Sequence, residues 1–193
     1  DGLLKAIRYL KEVKKTAINV LFTGHEVAQG YPLKNKVKEY GLSEQVSIVG
    51  YLPKEELAAL YARAKMVVFP SLFEGFGIPL VEAMAAGCPV VASNVTSLPE
   101  IGGEAVEYFD PTQPIAMAKA IELLWNNSGR RRELIQKGLE RIEWFSAFNL
   151  VQSHHRAFEE AQGSYSSKKY YWHRWWTHPS HRWKVHRKYR RSL

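Results

Sequence analysis

The sequence predicts an α/β domain built on a doubly wound parallel sheet, and three observations carry that expectation. Short apolar runs alternate strictly with helical patterns from residue 3 to about 162. The runs are continuous rather than alternating in polarity, as in strands covered on both faces. Most of them stop at Gly, Pro or Ser, where a strand gives way to a turn.

The elements follow in order. "LLKAIRYLKEVKK" (3–15) spaces its apolar residues by three and four and reads as an amphipathic helix. "AINVLFTG" (17–24) is β-branched and aromatic and ends in glycine, so it reads as a strand; "LKNKVKEYG" (33–41) returns to the helical period. "QVSIVG" (45–50), "MVVFP" (66–70), "PVVAS" (89–93) and "AVEYF" (105–109) are the remaining strands. Between and after them, "KEELAALYARA" (54–64), "PLVEAMAAG" (79–87) and "PIAMAKAIELLWNN" (114–127) read as helices, and residues 130–162 as one or two closing helices. Right-handed βαβ units built this way place a ligand site at the carboxyl ends of the strands. No internal repeat is present.

At 193 residues the chain is long enough for one domain with a substantial core, expected over 1–162, with 163–193 as a separate tail. A single cysteine, Cys88, rules out an intrachain disulfide and points to an intracellular, cytoplasmic setting. No apolar run approaches the roughly 20 residues that span a bilayer, and the first residues do not read as a signal peptide. The net charge of +8 invites a nucleic-acid partner until its distribution is counted. Residues 164–193 hold nine Lys and Arg and no acid, whereas the other 18 lie with all 19 acids in the first 163 residues. The body is therefore close to neutral, and nucleic acid is not expected as its partner.

The chemistry concentrates in "SLFEGFGIPLVEAMAAG" (71–87). "MVVFP" delivers the chain to the carboxyl edge of the sheet, and Pro79 suits the first turn of the next helix, where an N–H would be orphaned. Gly75 and Gly77 admit φ values closed to other residues, and the free N–H groups of the helix start suit a phosphate. Glu82, one turn into the helix, is placed to accept two hydrogen bonds from vicinal hydroxyls such as those of a ribose, and Glu74 to face a second hydroxyl-rich group. The plainer account makes each glutamate a solvated first-turn acid gaining about 0.3–1 kcal/mol from the helix dipole. Against it stand the neighbours Leu80, Val81, Ala83, Met84, Ala85 and Ala86, which leave Glu82 little polar face. An unpaired buried carboxylate costs several kcal/mol, so Glu82 is expected to have a partner or to line a wet pocket.

"FPSLFEGFGIPLVEAMAAGCPVVASNVTSLPEIGGEAVEYFDP" closely resembles the C-terminal half of the retaining GT-B glycosyltransferases of family 4, also called group 1, whose mark is two glutamates separated by seven residues. The likeness runs from the first helix through "GYLPKEELAALYARAKMVVFPS" to near residue 160, and its wording is most similar to the mannosyltransferase branch. The resemblance implies a Rossmann-like C-terminal half of a GT-B fold. It implies Glu74 as the catalytic residue at the donor sugar, with Gly75, Phe76 and Gly77 at the sugar hydroxyls and Ile78 and Pro79 beside the diphosphate. It further implies Glu82 on the ribose, Gly50, Tyr51 and Leu52 at the base, and Gly24 with His25 in a flanking loop; taken alone, a histidine such as His25 is more often a surface loop residue than a ligand. Glu100 in "SLPEIGG" also falls on a family motif, where it starts a short helix and caps or supports the loop. The implied donor is a nucleoside diphosphate sugar, GDP-mannose or a UDP-hexose, used without a cofactor or catalytic metal. The implied acceptor is a glycan or lipid-linked sugar held by an N-terminal domain.

The chain also departs from the family pattern. Matching members carry an Arg and a Lys on the diphosphate ahead of the segment matching "DGLLKAI", so the expectation here is a donor-binding half that binds weakly and turns over little by itself. Two other classes remain: a non-catalytic nucleotide-sugar-binding partner subunit, and a membrane or nucleic-acid binder acting through the tail. That tail, "SYSSKKYYWHRWWTHPSHRWKVHRKYRRSL", mixes cations with aromatics as membrane-surface and single-strand binders do. A solvated extension, a closing helix packed on the body and an out-of-frame translation are together favoured over a functional tail. Among the functional readings, peripheral contact with an anionic membrane at its inner face is preferred. Sedimentation with anionic liposomes is then expected to lose the chain when it is shortened to Gly163, and equal sedimentation of both removes the idea.

Overall fold

The computed structural model describes residues 1–24 and 32–164. They form two compact units, Asp1–Phe145 and the segment beginning at Ser146. In the first unit the order is α1 (Gly2–Glu12), β1 (Val20–Thr23), α2 (Leu33–Glu39), β2 (Val46–Gly50), α3 (Lys54–Arg63), β3 (Val67–Phe69) and α4 (Ile78–Ala85). It continues with β4 (Val90–Ser93), α5 (Leu98–Gly102), β5 (Val106–Phe109), α6 (Pro114–Asn126) and α7 (Ser128–Ile142), which ends in a 3-10 turn at Glu143–Phe145. In the second unit, α8 (Ala147–Gly163) starts at Ser146, whose hydroxyl accepts from the Asn149 N–H. The α8 side chains are exposed throughout. The expected tail, 163–193, begins at the last residue of α8 and lies outside the described residues apart from Gly163 and Ser164.

Among the described residues every strand pair is parallel, in keeping with the unbroken apolar runs, but the hydrogen bonds form two ladders, β1–β2 and β3–β4–β5. Each strand is shorter than the apolar run that announced it, mostly at its start: Ala17 to Asn19, Gln45, Met66, Pro89 and Ala105 precede the ladders, whereas Gly50 and Ser93 remain paired in them. β4 sits between two partners and is buried at every position. Its residues divide by parity between two cores: Val91 joins Leu4, Ile7, Leu10, Met117, Ile121 and Leu124 of α1 and α6, whereas Val90 and Ala92 join Leu80, Ala83 and Met84 of α4. The β3–β4–β5 sheet is thus covered on both faces, whereas Leu21, Thr23, Ser47 and Val49 of the β1–β2 ladder are exposed, so the expected two-sided cover does not extend to those strands. Each fully buried Leu, Ile or Met of these layers contributes on the order of 1.5–3 kcal/mol. Helix α7 closes over α4 where Gly138 lets the two approach; a Cβ there would lie 3.3 Å from Met84 Cγ.

Two readings of the 71–87 stretch need correction. Helix α4 is one-sided, with Leu80, Ala83 and Met84 buried and Ile78, Glu82 and Ala85 exposed. The small residues Ala85 and Ala86 looked like core in the sequence but lie on or near the surface. The carboxylate of Glu82 therefore faces solvent, and the expected penalty for burying it does not arise. The φ argument holds at Gly77, which has φ +97°, and not at Gly75, which is absent from the left-handed region.

Cys88 is buried, with its Sγ 3.6 Å from the Ala64 carbonyl. Burial pushes its thiol up to about 12, so it is a packing residue rather than a nucleophile. Among the described residues no helix is long and apolar enough to cross a membrane.

Candidate functional site

The site is built where β3 gives out. Pro70 and Ser71 carry the chain off the strand, and the Ser71 hydroxyl donates to Glu74 Oε1 at 2.7 Å, fixing a half-buried carboxylate at the carboxyl edge of the sheet. The Glu74 N–H donates to Thr96 Oγ1 at 3.1 Å. Ser97 Oγ lies 3.0 Å from the Glu74 carbonyl and 3.1 Å from the Phe76 carbonyl, so its one hydrogen serves both. On the other side of the loop the Phe76 ring meets Phe145 edge to face, centroids 5.8 Å apart.

Gly77 then turns the chain into α4. Glycine is needed there on two counts: its φ of +97° disfavours any side chain, and a Cβ would stand 2.7 Å from Leu98 Cδ2. Pro79 sits in the first turn, one position later than expected, and brings no N–H. The Leu80 N–H folds back onto the Gly77 carbonyl at 2.9 Å. The N–H groups of Gly75, Phe76, Gly77 and Ile78 have no acceptor among the described residues. Four consecutive free donors at the positive end of a helix dipole form a cradle for an anion.

Glu82 lies on the exposed face of α4, with no hydrogen bond or ion pair among the described residues. It stands near Tyr61 of α3, whose phenol is raised first by burial and then by the negative charge of Glu82. Gly24 and Gly50 end the adjacent strands β1 and β2 with φ +112° and +72°, and the Gly24 N–H donates to the Gly50 carbonyl at 2.7 Å. Tyr51 beyond them is 66% exposed and Leu52 half-buried. His25 lies outside the described residues. No hydrogen bond among the described residues links the Gly24–Gly50 pair to the Glu74 loop. The Glu100 side chain is exposed, and it is its carbonyl that is held, by Arg141 Nη2 at 2.6 Å. Among the described residues no cluster of three or more His, Cys, Asp or Glu is placed to hold a metal ion.

Sequence reasoning missed Ser71, Thr96, Ser97, Arg141 and Phe145. Two hydroxyls ahead of a Pro-started helix in "NVTSLPE" look like an ordinary cap, and nothing local announces that they reach back more than 20 residues to the glutamate loop.

A parallel α/β domain with a glycine-rich anion cradle at its carboxyl edge and carboxylates on either side is the framework of a nucleotide-type binding domain. The family model for glycosyl transferases group 1 matches residues 1–141, and the chain belongs to that family. Its relatives include the O-antigen chain mannosyltransferase B of Escherichia coli, 35% identical over 145 residues, which are 75% of this chain and 38% of that protein. Among solved structures, the C-terminal domain of the group 1 glycosyl transferase LpcC from Francisella tularensis superposes with a TM-score of 0.62 at 26% identity, over 74% of this chain and 76% of that one. Anabaena Alr3699/HepE, solved with UDP and glucose, has a TM-score of 0.72 at 20% identity, over 82% of this chain and 44% of that one, and shares the fold. The chain is mannosyltransferase-like within a GT-B group 1 family, and it spans well under half the length of the mannosyltransferase it matches.

Proposed function

We propose that the chain is the donor-binding half of a retaining glycosyltransferase that moves a hexose, mannose by preference, from a nucleoside diphosphate to a glycan or lipid-linked acceptor. The observation that carries this reading is the run of four unpaired N–H groups from Gly75 to Ile78, bracketed by Glu74 and Glu82. A diphosphate on those donors would set the sugar toward Glu74 and the ribose toward Glu82, whose free carboxylate has the acceptors that vicinal hydroxyls need. Gly24, His25, Gly50, Tyr51 and Leu52 are assigned to the base and its flanking loop, with the exposed Tyr51 ring as a stacking surface.

In transfer, the bond from the anomeric carbon to the diphosphate oxygen breaks and the electron pair stays on that oxygen. The acceptor oxygen bonds the anomeric carbon on the same face, and its proton passes to the departing diphosphate. Charge gathers on the diphosphate in the transition state, so fixed N–H donors and the helix dipole stabilise that state more than the ground state. Glu74 offsets the positive charge growing on the sugar.

A second reading, a non-catalytic nucleotide-sugar-binding partner subunit, uses the same cradle. Calorimetry with GDP-, UDP- and ADP-sugars, joined to turnover assays with and without an added acceptor-binding half, separates the two. The expected result is weak binding of at least one donor and turnover only in the mixture. Robust turnover by the chain alone defeats the half-enzyme reading, binding without turnover in the mixture favours the partner subunit, and no binding of any donor defeats both.

A further inference from the structure

Two features beside the cradle run against local stability. Thr96 is β-branched yet held at φ +51°, a conformation that glycine or asparagine adopts far more readily. Ser97 occupies the N-cap position of α5, where serine ordinarily bonds its own helix, yet it makes no cap bond. Both hydroxyls are turned instead onto the backbone of one loop, Glu74 to Phe76.

The direction of those contacts matters. A trans peptide is planar, with its C=O and N–H pointing opposite ways. By holding the Glu74 carbonyl, Ser97 turns the Gly75 N–H away from α5; by holding the Phe76 carbonyl, it does the same to the Gly77 N–H. Thr96 takes the Glu74 N–H, the donor that immediately precedes the free row. Two carbonyls of the loop are thus tied toward α5, and two of its four free donors are turned away from it.

The mounting for these two residues is rigid. Leu98 is fully buried, and its carbonyl accepts from the Tyr108 hydroxyl at 3.3 Å. Arg141 donates from Nε to the Ile101 carbonyl at 3.0 Å and from Nη2 to the Glu100 carbonyl at 2.6 Å, while its guanidinium lies 5.7 Å from the centre of the Phe145 ring that buttresses Phe76. Helix α5 is clamped at its far end by the same side chain that backs the other flank of the loop.

We propose that Thr96 and Ser97 are positioning residues, a two-hydroxyl clasp that aims the Gly75 and Gly77 N–H groups at the diphosphate and sets Glu74 toward the sugar without touching either. This rests on the donor-site reading above, so its test includes a measurement that needs no ligand. The full chain and its Ser97→Ala, Ser97→Thr and Thr96→Gly variants are compared by amide exchange at Glu74, thermal melting, and calorimetry with GDP and UDP. Thr96→Gly relieves the strained φ and removes the hydroxyl together, so the expected result is an unchanged or raised melting temperature, Glu74 exchange faster by about tenfold or more, and weaker nucleotide binding. Ser97→Ala is expected to weaken nucleotide binding by roughly tenfold, with Ser97→Thr restoring it.

Unchanged Glu74 exchange in Thr96→Gly overturns the clasp. So does an affinity loss that appears only where the melting temperature falls, or one that Ser97→Thr does not rescue. If the wild-type chain binds no nucleotide, the donor-site reading fails on its own account, and the Glu74 exchange result alone upholds or overturns the clasp.

Discussion

Glu82→Ala is expected to weaken nucleoside diphosphate binding by roughly 30- to 700-fold while leaving the melting temperature within about 2 °C of the parent chain. The affinity loss follows from removing a charged acceptor of two hydroxyl hydrogen bonds, which together are worth about 2–4 kcal/mol once shielded from water. The unchanged stability follows from its position. Glu82 is exposed and pairs with nothing among the described residues, so its removal leaves neither a cavity nor an orphaned partner. Alanine also keeps the helix propensity of α4. An ordinary solvated glutamate predicts no change in either quantity, so calorimetry with GDP and UDP on the variant decides between the two accounts. Equal affinities would remove the ribose assignment.

Glu82 also marks how far the sequence could be read. The alternation of runs placed the strands and helices nearly where they lie, because a strand covered on both faces reads as a continuous apolar run, as β4 does, buried on every residue; β1 and β2 read the same way although alternate positions of each are exposed. The face on which Glu82 lies was misjudged for the same reason: alanine counts as apolar in a periodicity argument, yet Ala85 is exposed and Ala86 half-buried. Local chemistry also placed Gly77, Pro79 and the helix start, since these are rules about neighbours in the chain. It could not find Thr96, Ser97 or Arg141, whose contacts with the loop or with α5 span 21 to 41 positions and depend on how α5 is set against α4 and α7. The break between the β1–β2 and β3–β4–β5 ladders was likewise outside what a pattern of apolar runs can express.

Gly77→Ala is expected to be the most damaging single methyl in the cradle. A left-handed φ costs an L-residue about 1–2 kcal/mol. Here the new Cβ would also stand 2.7 Å from Leu98 Cδ2, inside a packed core where relieving an overlap costs about 1–3 kcal/mol more. The sum, about 2–5 kcal/mol, corresponds to a fall in melting temperature of roughly 5–15 °C for a domain of this size. Donor binding should fall with it, because Gly77 carries one of the four free N–H groups and sets their row at the start of α4. Gly75→Ala is the counterpart: its Cβ meets nothing within 4 Å and its φ is not left-handed, so stability should shift by no more than about 0.5 kcal/mol. That variant nevertheless sets a methyl beside the free N–H row, so its affinity for a nucleoside diphosphate is expected to fall without a loss of fold. Thermal melting and calorimetry on the two variants separate strain from obstruction. The double variant Gly77→Ala with Leu98→Ala checks the cause, since removing the obstructed side chain should make the combined loss smaller than the sum of the two single losses. A strictly additive result would place the strain in the backbone alone, and a Gly77→Ala chain as stable as the parent would overturn the account of the loop.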